Sequence, residues 1–172
     1  MTKRSLFAAM QCARGTAAAE MALVTPMMIA LMFGSFELGN YFLSEHVVVK
    51  AVRDGARFAG RMPFSEYDCA NSANSARDDK IQNVVRTGQV AELSPDRSRL
   101  NGWTNAIEDS TITVSVACSV TTTGGIYNGM TGGAPVVTVS AIVPYSSLLG
   151  TVGLANPSLT LNANAQATVN GI

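Results

Sequence analysis

Apolar residues run almost without a break from Ala17 to Phe36, AAAEMALVTPMMIALMFGSF, with one acid inside the run, Glu20, and a second, Glu37, directly after it. The uninterrupted part is sixteen residues. As a helix it covers about 24 Å, short of a hydrocarbon core of about 30 Å, and Leu38, Tyr41, Phe42 and Leu43 lengthen it on one face. The pattern predicts one helix that crosses a membrane once. Pro26 falls a few residues into it, where a missing donor is absorbed as a local kink. Helical spacing continues from residue 44 to 60, with Val47, Val48, Ala51 and Ala56 toward the apolar side. Lys50, Arg53, Arg57 and Arg61 follow one another at i, i+3, i+7 and i+11, along a single stripe. Two readings of that stripe stand: it meets lipid phosphates or a neighbour's acids, or it is a solvated face on which Lys50 and Asp54 form a weak i,i+4 pair.

After Arg61-Met62-Pro63 the pattern breaks into a loop. A second helix is predicted from about Asn71 to Thr87, with Ala73, Ile81, Val84 and Val85 on one face, capping residues near Asn71 and Ser72, and Gly88 at its end. Three stretches then alternate with period two: Ile112 to Val120, Val137 to Tyr145, and Leu159 to Val169. Each sets an apolar face against Thr, Ser, Asn or Gln. Gly124-Gly125 and Gly132-Gly133 read as turns, because no Lys-Ser/Thr follows them to make a phosphate loop. Asn101-Gly102 and Trp103 read as a loop with an aromatic anchor. The fold expected is α+β: a long N-terminal transmembrane helix, then a small antiparallel sheet with one packed helix.

Charge is unevenly placed. Lys3, Arg4 and Arg14 crowd the first fifteen residues, and after Glu108 and Asp109 the remaining 63 residues carry no charge at all. At the chain's average of 14% charged residues that stretch would hold roughly nine. Either it packs against partners, or it stays soluble through neutral polar groups. The net charge of zero argues against a nucleic-acid partner, which would usually demand a domain-scale basic patch to neutralise phosphates.

No constellation for chemistry emerges. The one histidine, His46, sits beside Glu45 just past the apolar run, and Asp68, Asp78, Asp79, Glu108 and Asp109 follow no cation-loop spacing. The chain is expected to be no enzyme and to need no metal or cofactor. A cleaved secretory signal fits badly, since the apolar run starts after QCARGT and no Ala-x-Ala site follows before Gly60. Lipoprotein processing at Cys12 fits worse, with Gln11 before it and the apolar run on the wrong side.

Arg14, Gly15 and Thr16, then Glu20 five residues after the glycine, then an apolar helix, resemble the start of a prepilin. RGTAAAEMALVTP, GSFELGN and AVRDGARFAG, in that order, resemble the TadE-like family of tight-adherence (Flp-type) pilus assembly over roughly residues 14 to 60. The resemblance implies a leader, residues 1–15, cut after Gly15 by a prepilin peptidase at the cytoplasmic face. It implies a transmembrane and extended helix, 16–60, and an extracytoplasmic domain, 61–172. An ionisable Glu20 in an apolar helix needs a partner, and in pilin-like assemblies that partner is the freed amine of a new amino terminus, here that of Thr16. Positive charges flank both ends of the span, so orientation rests on the resemblance: leader inside, domain outside, single-pass in the inner membrane. Expected partners are the peptidase, other pilins and pseudopilins, and inner-membrane assembly proteins. Glu20, Glu37, Arg53 and Arg57 are the candidate subunit or membrane contacts. The alternative is a single-span envelope protein whose outer domain binds some ligand. With Cys12 removed in the leader, Cys69 and Cys118 remain; in an oxidising envelope they form a disulfide closing a loop of about 50 residues, or stay as two thiols with Cys118 a core residue.

Overall fold

The computed structural model of the chain describes residues 13–69, 73–91, 98–100, 103, 111–121, 124–151, 153 and 158–171. The leader up to Cys12, together with Asn71, Ser72, Asn101, Gly102, Glu108 and Asp109, lies outside the described residues. Two compact units emerge, one ending at Asn40 and one running from Tyr41 to Ile172. Helix α1, Ala13–Arg61, 49 residues long, contributes to both.

In the first unit every described side chain from Gly15 to Phe36 is exposed. The stretch beginning at Gly15 is long and apolar enough to cross a membrane. Its hydroxyls turn back on the helix: Thr25 Oγ1 donates to the Met21 carbonyl at 2.6 Å and Ser35 Oγ to the Met32 carbonyl at 2.8 Å. A hydroxyl satisfied by its own backbone needs no water, which is the condition for lying in lipid.

The second unit is the α+β domain. Val48, Ala51, Val52, Ala56 and Ala59 of α1 are buried at helical spacing and form one wall of its core. Residues 41–60, which the sequence pattern attaches to the membrane segment, are thus the domain's own helix from Tyr41 on. A short 3₁₀ turn, Phe64–Glu66, leads to α2, Ser75–Thr87. Helix α2 starts later than expected because its cap is Asn74, whose Oδ1 accepts from Arg77 N at 3.1 Å. Ala73 lies outside the helix and is exposed, while Ile81, Val84 and Val85 are buried as expected. Gly88 closes α2 at φ 81°, a left-handed conformation that glycine alone adopts without cost.

Strands β1 (Thr111–Ser119), β2 (Ala134–Pro144) and β3 (Thr160–Thr168) form an antiparallel sheet in the order β1-β2-β3. The pairing aligns Val114 with Val139 and Ala165, and Val116 with Val137 and Ala167, on the inner face. Thr113 aligns with Ser140 and Asn164, and Ser115 with Thr138 and Gln166, on the outer face. Neutral hydroxyls and amides therefore make up most of the outward side of the sheet, with Val136 and an exposed Ile142 among them. A short helix α3, Leu148–Thr151, which the alternating pattern does not signal, joins β2 toward β3. Trp103 inserts into the core at 1% exposure.

Candidate processing site and assembly surface

The Gly15–Thr16 bond lies within helix α1, described from Ala13 on, and both residues are exposed. A Cβ placed on Gly15 would meet nothing within 4 Å. Glu20 stands one turn after Thr16 on the same helical face. It is exposed and has no hydrogen bond or ion pair among the described residues. The structure thus presents an uncrowded, exposed glycine and an exposed carboxylate one turn after Thr16, ahead of the apolar run. Glu37, farther along, is half-buried.

Beyond Leu43 the exposed face of α1 changes character. His46, Lys50, Arg53, Arg57 and Arg61 are all exposed. The i,i+4 pair expected between Lys50 and Asp54 does not form, because Asp54 Oδ2 is taken by Arg99 Nη1 at 2.8 Å. That partner lies 45 residues away, beyond any local spacing argument.

The opposite face of the same segment is lined by small residues for a packing reason. A Cβ on Gly55 would run into Val85 Cγ2 of α2. A Cβ on Gly60 would lie 3.1 Å from the Thr168 carbonyl oxygen and 3.3 Å from Ala167 Cβ. Asn170 N donates to the Gly60 carbonyl at 2.8 Å. Within AVRDGARFAG, then, the glycines admit α2 and β3 while Arg53 and Arg57 face away.

A polar cluster that sequence reasoning missed fastens the loop after α1 to α2. Arg77 is 1% exposed. Its Nε and Nη2 donate to Asp78 Oδ1 at 2.9 and 2.8 Å, Nη1 donates to the Glu66 carbonyl at 3.1 Å, and the guanidinium lies 5.1 Å from the Tyr67 ring centroid. Tyr67 donates its hydroxyl to the Ala59 carbonyl at 2.6 Å. Burial pushes its pKa from 10.0 up to about 12, against the Arg77 charge, which pulls the other way. Asn74 Nδ2 donates to Glu66 Oε2 at 3.0 Å. One signal was available: Arg77 precedes Ile81 and Val84 at i−4 and i−7 on the buried stripe of α2.

Cys69 and Cys118 are joined as a disulfide, with Cα atoms 5.9 Å apart and a separation of 49 positions in sequence. It ties the loop before α2 to the end of β1. Among the described residues no group of three or more His, Cys, Asp or Glu could hold a metal ion.

An exposed apolar helix long enough to span a membrane once, followed by a disulfide-closed α+β domain, fits a single-pass membrane anchor. Residues 15–57 match the family model described as TadE-like protein. Over that segment, a quarter of its length, the chain is similar to TadE-like proteins. No curated protein and no solved structure matches the chain.

Proposed function

We propose that the chain is a pseudopilin or minor-pilin-like component of a tight-adherence (Flp-type) pilus, acting in pilus assembly, adhesion and biofilm formation without catalysing a reaction. A prepilin peptidase removes the leader after Gly15. The helix from Thr16 then lies in the inner membrane with its amino terminus cytoplasmic, and the disulfide-closed domain is periplasmic or carried into the filament. The observation that supports this reading best is the exposed Gly15–Thr16 pair one turn before the exposed, unpaired Glu20, inside the match to the TadE-like family model. An unpaired carboxylate at the edge of an apolar helix costs free energy in lipid. The new Thr16 amine of a neighbouring subunit offsets that cost when the helices come together. Glu20→Ala is therefore expected to leave cleavage intact and to abolish incorporation or pilus formation in the native host. Normal assembly of Glu20→Ala removes Glu20 from the account.

A further inference from the structure

Among the described residues the basic stripe of α1 has no counterpart within its own domain. Lys50, Arg53, Arg57 and Arg61 are exposed and make no ion pair among the described residues. The one acid among them on the helix, Asp54, is committed to Arg99. The face is clean: the packing residues Ala51, Val52, Ala56 and Ala59 all point to the other side.

Length along the helix decides between lipid and protein as the occupant. Measured from Leu43, where the exposed apolar side chains end, Lys50 lies about 10 Å on, Arg57 about 21 Å and Arg61 about 27 Å. The headgroup layer is about 5–8 Å deep. Lys50 can reach it, whereas Arg57 and Arg61 stand clear; even at a tilt of 40° Arg61 is about 20 Å out. A lipid surface therefore satisfies one end of the row and leaves the rest bare.

A second copy does not satisfy it either. In a parallel, in-register pair the row would face an identical row of cations. Elsewhere on α1 the acids are Glu20, Glu37 and Glu45, and Glu37 and Glu45 are half-buried. Off α1 the exposed acids among the described residues are Asp68, in the loop before α2, and Asp79, within α2, which do not form a row along one helix.

We propose that this stripe docks a different protein subunit through a carboxylate-bearing helical face, with acids spaced to meet Lys50, Arg53, Arg57 and Arg61. The chain is thereby a heterotypic partner in assembly, joined along α1 to an acidic neighbour instead of to itself. This rests on the pilus-assembly reading only for the membrane span that places Leu43 at the lipid boundary. Complementary charge of this kind sets partner choice and encounter rate, and it weakens with salt.

The test places a photo-crosslinking residue at position 57 of the full-length chain in its native host, and sequences the adducts from isolated membranes. The expected adduct is to a different membrane-anchored protein, at a peptide carrying Asp or Glu at three- or four-residue spacing. Arg53→Glu with Arg61→Glu is expected to lower its yield at least tenfold, as is raising salt from 0.05 to 0.5 M before irradiation, a span in which the Debye length falls from about 14 to about 4 Å. Adducts to lipid, to a second copy, or to acids of the same chain overturn the proposal. So does a protein adduct at a neutral peptide, one whose yield ignores the charge reversal, or no adduct at all. Maturation to Thr16 is followed in the same cells, so that a failed adduct with normal processing sinks the stripe alone, and loss of processing sinks the pilus reading.

Discussion

Gly55→Ala is expected to destabilise the domain although alanine is the better helix former. In an open helix the change would gain about 1 kcal/mol. Here the added methyl runs into Val85 Cγ2, with Val85 Cβ at 3.7 Å and Ile81 Cγ2 at 3.8 Å behind it. Val85 is β-branched, fully buried and held in its helix, so it has essentially one rotamer and cannot swing aside. Overpacking of a single methyl costs about 1–3 kcal/mol, leaving a net loss of about 1–2 kcal/mol. Val85→Ala alone should cost about 2–3 kcal/mol through the cavity it opens. Combined with Gly55→Ala it should cost at least about 1 kcal/mol less, because the new methyl occupies part of the vacated space. Urea unfolding of the full-length chain in detergent micelles measures all four corners of this cycle. The single tryptophan, Trp103, is buried in the same core and reports the transition. A Gly55→Ala variant as stable as the parent, or additivity of the two changes, would refute the close contact between α1 and α2.

Three further outcomes follow from the geometry. Replacing Cys69 and Cys118 together by serine should lower stability by about 2–4 kcal/mol, the range for a closed loop of this size, and reductant should then have no added effect. Tyr67 keeps its proton to about pH 12 when folded but loses it near pH 10 when unfolded. Its contribution is therefore complete below pH 10 and declines between pH 10 and 12 by up to about 2–3 kcal/mol, and Tyr67→Phe should flatten that alkaline decline while costing about 1 kcal/mol at neutral pH. Asp54→Asn should cost no more than about 1 kcal/mol and become nearly silent at high salt, since the Arg99 pair is only part-buried, with side chains 32% and 21% exposed.

The strands were legible because one face of the sheet is buried and a period of two leaves no other way to hide Val114, Val139 and Leu161. The apolar span was legible because its exposed side chains need no tertiary context. Position along α1 was less so: nothing local to residues 44–60 reveals that Gly55 meets α2 and Gly60 meets β3, so a packing face read as the extension of an anchor. Asp54 was assigned to Lys50 because helical spacing sees only neighbours, whereas Arg99 is brought in by the fold. Arg77 escaped notice for a related reason. A cation on a buried stripe contradicts binary patterning until Asp78, the Glu66 carbonyl and the Tyr67 ring are known to surround it. The start of α2 shifted because Asn71, Ser72 and Asn74 are all competent caps.

Cleavage between Gly15 and Thr16 is tested most directly by the amino terminus of the protein purified from membranes of its native host, read by mass spectrometry. A chain beginning at Thr16 is expected, and a full-length species when Gly15→Ala blocks cleavage. A native chain beginning at Met1, or a Gly15→Ala variant of unchanged size, would contradict it.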